Sequence, residues 1–106
     1  MAKHTTEADI DRLFRCILTL QTPEECRRFF TDLCTEFEVD EMARRLTAAS
    51  LLLKNAPHPV AVECSGLSSS TVSRVNRTIR YGKDGYRMAL ERLERQERFG
   101  RMERRR

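Results

Sequence analysis

The sequence predicts an all-α fold that carries a helix-turn-helix. Three observations support this. Apolar residues recur at i, i+3, i+4 and i+7 along most of the 106 residues. Four Gly and three Pro are too few to punctuate a sandwich of short strands. One segment, about 59–80, sets a short helix, a glycine turn and a second amphipathic helix in succession.

In chain order, Thr6 with Asp9 three residues later makes an approximate capping box, and Ile10, Leu13, Phe14, Ile17 and Leu18 follow as one apolar stripe. Thr22-Pro23-Glu24-Glu25 starts a second helix. There Thr22 can cap, Pro23 sits where a missing N–H costs nothing, and the acids favour the positive helix end. Its buried side is expected to hold Cys26, Phe29, Phe30, Leu33, Cys34 and Phe37. Asp40 reads as the cap of a third helix to about Asn55, with Met42, Leu46, Ala49, Leu52 and Leu53 inward and Pro57 ending it. A short helix from about Pro59 to Cys64, a break at Ser65-Gly66-Leu67 and a longer helix from about Ser69 to Arg80 follow. Gly82 and Gly85 flank Asp84 ahead of a last helix expected to bury Tyr86, Ala89, Leu90 and Leu93. Residues 85–106 form a basic helix and tail, with Glu94/Arg98 and Glu97/Arg101 as i,i+4 pairs and Arg104 to Arg106 frayed. No internal repeat, long linker or low-complexity stretch interrupts the chain, so residues 1–106 are expected to be a single domain. A domain of this size has little interior for so much apolar helix surface, which predicts a homodimer.

Composition narrows the function. No apolar run approaches a membrane span and the first residues lack a signal-peptide core, so a cytoplasmic protein without membrane association is expected. Cys16, Cys26, Cys34 and Cys64 show no C-x-x-C spacing and none stands beside a histidine; no metal site is expected. His4 and His58 have no Ser, Cys or Asp companion at a telling spacing and there is no Gly-rich phosphate loop, which argues against an enzyme. Residues 1–68 hold 8 Lys/Arg against 11 Asp/Glu, a net −3, whereas residues 69–106 hold 12 against 5, a net +7. Of the 20 cationic residues 17 are Arg, whose planar fork suits phosphate oxygens and guanine edges. The polarised charge calls for a polyanion.

Residues 61–80 carry the sharpest signal. Ala61 and Val62 sit on the first helix, Gly66 in the turn, Leu67 beneath it, Ser68 as a cap, and Val72, Val75 and Ile79 on the inner side of the second helix. Opposite them stand Ser70, Ser73, Arg74 and Arg77, with Ser69 and Thr71 near the helix start; Arg80 and Lys83 extend the charge. No acidic residue occurs between Ser69 and Lys83. Short hydroxyls let a helix approach the floor of a groove, and arginines can grip guanine O6 and N7 or a phosphate. Double-stranded DNA is the partner this predicts. An alternative partner is an acidic protein docked on the basic face of a helical interaction module.

At this point the sequence resembles the Trp repressor family, and most of all its YerC/YecD branch, from about Ile10 to Leu93. The resemblance lies in LQTPEECRRFF (Leu20 to Phe30), Leu33-Cys34-Thr35, GLSSSTVSR (Gly66 to Arg74) and Tyr81-Gly82-Lys83-Asp84-Gly85-Tyr86. It implies an intertwined helical dimer that presents two recognition helices to a pseudo-palindromic operator, as a transcriptional regulator and specifically a repressor. In the Trp repressor proper two arginines sandwich the indole of tryptophan, and Arg44 and Arg74 fall at those positions. This chain departs from that pattern with Val75 in place of a glycine and Thr78 in place of a serine. A branched side chain beside Arg74 would crowd an indole, so no cofactor is expected; Arg44, Arg74 and Thr78 are where a tryptophan-like effector would bind.

Overall fold

The computed structural model describes residues 4–104, which form six helices and, among the described residues, no strand. In order these are α1 (Glu7–Leu18), α2 (Pro23–Leu33), α3 (Glu36–Leu53), α4 (His58–Ser65), α5 (Ser69–Tyr81) and α6 (Gly85–Arg104). Packing divides the chain after Val39 into two compact units.

The first unit is built from strongly capped helices. Thr6 Oγ1 accepts from the Asp9 amide at 3.1 Å while Asp9 Oδ2 accepts from the Thr6 amide at 3.3 Å, the reciprocal box expected for α1. The Asp9 carboxyl is held below its ordinary range by the hydrogen bonds from Thr6, with Arg12 adding a smaller attraction. Thr22 Oγ1 accepts from the Glu25 amide at 3.1 Å, and Pro23 opens α2 as expected. Phe29 and Phe30 meet edge to face, their ring centroids 5.4 Å apart. Neither α1 nor α2 contains a fully buried residue, and Leu18 stays 81% exposed.

The boundary between α2 and α3 differs from the expected one. Cys34 is extended (φ −120°, ψ 162°) and ends α2. Thr35 then caps α3: its Oγ1 accepts from the Glu38 amide at 3.1 Å, and Glu38 Oε1 accepts from the Thr35 amide at 2.9 Å. Hydrogen bonding to its carboxylate, from the Thr35 amide first and the Thr35 side chain second, holds the Glu38 carboxyl below its usual range. Asp40 is therefore not a cap but lies a turn inside α3, and Phe37 belongs to α3, 74% exposed instead of buried on α2.

In the second unit α3 is closed just beyond Leu53 by Asn55, which takes the left-handed conformation (φ 65°). The Ala56 amide donates to the Leu51 carbonyl and the Asn55 amide to the Leu52 carbonyl, each at 3.0 Å, which is a Schellman ending. The core consists of Ala48, Ala61, Leu67 and Val72, with Leu51, Leu52 and Val62 packed against it. Ala48 on α3 and Ala61 on α4 are fully buried, and Val72 is the largest side chain fully enclosed among the described residues. Met42 and Leu46, expected to face inward, are each about two-fifths exposed in the single chain (39% and 40%). On α6 Tyr86 and Leu90 are half-buried, whereas Ala89 and Leu93 are exposed. Arg98 Nη2 lies 3.4 Å from Glu94 Oε1, but Glu97 with Arg101 is not among the ion pairs of the described residues. The helix continues through Arg104, where fraying was expected; Arg105 and Arg106 lie outside the described residues. No helix among the described residues is long and apolar enough to cross a membrane.

Candidate nucleic-acid interface

The turn between α4 and α5 is set by one glycine and one serine. Gly66 is left-handed (φ 72°, ψ 11°) and its amide donates to the Val62 carbonyl at 3.0 Å, closing α4. Leu67 drops into the core, its amide donating to the Ser65 hydroxyl at 3.2 Å, so the break exposes no unpaired donor there. Ser68 then caps α5, its Oγ accepting from the Thr71 amide at 3.2 Å and donating to Thr71 Oγ1 at 2.9 Å. Ser70 Oγ lies 3.2 Å from the same Ser68 hydroxyl.

The inner side of α5 is formed by Val72 and Val75, both buried, and the half-buried Ile79. Ser70, Ser73, Arg74 and Arg77 are all exposed on the other side, as are Ser69, Arg80 and Lys83. Thr71 is only half-exposed and its hydroxyl belongs partly to the cap. Thr78 Oγ1 donates back to the Arg74 carbonyl at 3.1 Å, a use within the helix itself. His58, which has no companion at a telling spacing in the sequence, sits at the start of α4 with Nε2 2.9 Å from Ser69 Oγ. The separation of 11 residues leaves no local pattern from which that contact could have been read.

Two of the three residues placed at an effector position, Arg74 and Thr78, share a cavity. Arg74 and Thr78 line a cavity of about 100 Å3 together with Glu41, Arg45, Thr71, Val75 and Tyr86. Pockets for drug-sized molecules are commonly ~300–1,000 Å3. Arg44 does not line it. Its Nε lies 2.7 Å from Asp40 Oδ2, and its Nη1 donates to the Gly66 carbonyl at 3.4 Å, so it links α3 to the turn.

An all-helical chain whose second amphipathic helix is capped by a serine, pinned by valines and polar on its open face is a helix-turn-helix protein. The chain belongs to the Trp repressor family, a family of DNA-binding regulators, whose match (Trp repressor protein) spans residues 8–94. It falls in the YerC branch, being 46% identical over 86 residues to the uncharacterized protein YerC of Bacillus subtilis (strain 168), a span of 80% of this chain and 82% of that protein. Two crystal structures are also similar. A Trp repressor candidate from Staphylococcus aureus superposes with a TM-score of 0.81 at 39% identity, over 84% of this chain and 89% of that one. A TrpR-like protein from Eubacterium eligens ATCC 27750 gives 0.79 at 38% identity, over 84% and 91%.

Proposed function

We propose that this protein is a sequence-specific transcriptional regulator, a repressor that acts in the cytoplasm as a homodimer and reads the major groove of DNA with α5. The observation that carries this reading is the open face of α5, where Ser70, Ser73, Arg74 and Arg77 stand exposed behind a buried Val72–Val75 spine. With no carboxylate from Ser69 to Lys83, nothing on that stretch repels a phosphate backbone. Ser69, Ser70, Thr71 and Ser73 serve the approach to bases and nearby phosphates; Arg74 and Arg77 supply guanidiniums for guanine edges or phosphates. Arg80 and Lys83 serve the flanking backbone.

The dimer is favoured by two amphipathic helices, α1 and α2, that bury no residue fully in the single chain. On this reading residues 1–106 act as one domain and no cofactor is needed to set α5, because Val75 fills its inner side and Arg44 is engaged by Asp40 and Gly66.

Selection of duplexes from a random pool tests the proposal. The expected product is a pair of symmetry-related half-sites about 10 bp apart. Equal binding of all sequences would refute sequence-specific reading, and no duplex binding at any salt would point to an acidic protein partner instead. A protomer mass by light scattering at micromolar concentration would refute the homodimer. A reporter promoter carrying the selected site should lose expression when the protein is present, and a gain would refute repression.

A further inference from the structure

Tyr81 closes α5 and is 79% exposed. A tyrosine normally buries its ring and leaves only the hydroxyl wet, so a ring left this open by its own chain marks a contact made elsewhere. Among the described residues its hydroxyl has no hydrogen-bond partner. Tyr81 follows Ser70, Arg74 and Arg77 at i+11, i+7 and i+4 spacing, which on a 3.6-residue helix brings it to within about 20° of Ser70 around the axis. It therefore stands on the open strip of α5, opposite Val72 and Ile79.

Its distance along the axis decides what it can touch. Eleven residues at 1.5 Å each separate Ser70 from Tyr81 by about 16.5 Å. The major groove is only ~12 Å wide. When Ser70 reaches base edges, Tyr81 lies beyond the groove floor, against the sugar-phosphate wall, beside the exposed cations Arg80 and Lys83. The chain is held tightly at that point: the Gly82 amide donates to the Thr78 carbonyl at 2.8 Å, and a Cβ at Gly82 would crowd that carbonyl oxygen.

We infer that Tyr81 is a DNA-backbone contact, its phenol O–H donating to a phosphate oxygen and its ring lying on the adjoining deoxyribose. This rests on the reading of α5 as the DNA-binding helix. Tyr81 clamps the far end of that helix and contributes affinity without sequence preference.

The experiment compares wild type, Tyr81→Phe and Tyr81→Ala on a selected duplex and on a scrambled one across a salt series. Tyr81→Phe should bind both about tenfold more weakly, the loss of one hydrogen bond to a charged acceptor. The slope of log affinity against log salt should not change, because a neutral donor displaces no counterion. Tyr81→Ala should lose several-fold more, with a melting temperature close to wild type. Variants that bind like wild type overturn the contact. So does a loss confined to one of the two duplexes, which would make Tyr81 a base reader, or an altered mass in light scattering with unchanged DNA affinity, which would make it a subunit contact. Wild-type protein that binds no duplex at all is a different result and removes the DNA reading itself.

Discussion

Replacing Gly66 by alanine probes the turn that aims α5. Two costs arise, and the structure separates them. The backbone there has φ 72°, where an L-residue with a Cβ is disfavoured by about 1–2 kcal/mol. The added Cβ would also collide with Nη1 of Arg44. That nitrogen is the far end of a flexible side chain, so it can swing away; what is lost is its hydrogen bond to the Gly66 carbonyl. At 3.4 Å and on a side chain 44% exposed, this bond is worth about 0.5 kcal/mol at most. The backbone term wins. Gly66→Ala should destabilise by about 2 kcal/mol, lowering the thermal midpoint by roughly 10 °C for a domain of this size. Urea unfolding followed by circular dichroism, at one fixed protein concentration so that association does not shift the midpoint, gives the measurement. Gly66→Asn should recover most of the loss, since asparagine tolerates the left-handed region while still displacing Arg44. In the Arg44→Ala background, Gly66→Ala should cost only a few tenths of a kcal/mol less than in wild type. A Gly66→Ala protein as stable as wild type, or a cost that vanishes once Arg44 is removed, would refute this account of the turn.

Three further outcomes follow from the same geometry. Val72→Ala removes two carbons from the largest fully enclosed side chain and should cost about 2 kcal/mol by denaturant unfolding, so a loss under 0.5 kcal/mol would mean the core collapses around the gap. Arg77→Ala should leave the melting temperature unchanged and, if its contact is to a phosphate, reduce the log–log salt slope of DNA binding by about 0.9; an unchanged slope and affinity would remove Arg77 from the interface. Asp9 and Glu38 have folded-state carboxyls below their unfolded values, so the stability they add is present above the unfolded value and disappears as pH falls through the lowered folded one. Carboxyl NMR titration should show both below the ordinary carboxylate range, and Asp9→Asn should blunt the acid sensitivity of α1; ordinary titration of either group contradicts the capping boxes as its cause.

How much could be read in advance depended on the range of the interaction. The helix-turn-helix was legible because its determinants are local: a glycine for the left-handed turn, a serine one residue past Leu67, and valines at i and i+3. The start of α3 was misplaced for a local reason too. Thr35 and Asp40 are both competent caps, and Phe37 continues the apolar stripe of α2, which hides the Thr35-x-x-Glu38 box that the structure uses. Met42 and Leu46 show the limit of periodicity, which says which side of a helix is apolar but not whether its own chain covers that side. His58 on Ser69 and Arg44 on Gly66 join residues 11 and 22 apart, and nothing in the linear pattern specifies either. Tyr81, by contrast, shares the helical spacing that selects Ser70, Arg74 and Arg77, so its place on the open side of α5 is legible in the sequence.

The composition of α5 divides the helix into a side that folds it and a side left open. Its thirteen residues are mostly serine, threonine, valine, asparagine and arginine, and of these only arginine is a strong helix former. Taken alone such a segment would be mostly unfolded, because nucleation is costly and the gain per residue is small. Its helicity is therefore supplied from outside its open face, by the Ser68 cap, the left-handed Gly66 turn and the burial of Val72 and Val75. Apart from the Ser69 and Ser70 hydroxyls, which meet His58 and the Ser68 cap, side chains on the open face carry little of the folding, and their chemistry is free to be set by what they touch. Substitutions on the two sides should accordingly separate: those at Val72 and Val75 act on the folded population, whereas those at Ser70, Ser73, Arg74 and Arg77 act on the contacts that population makes.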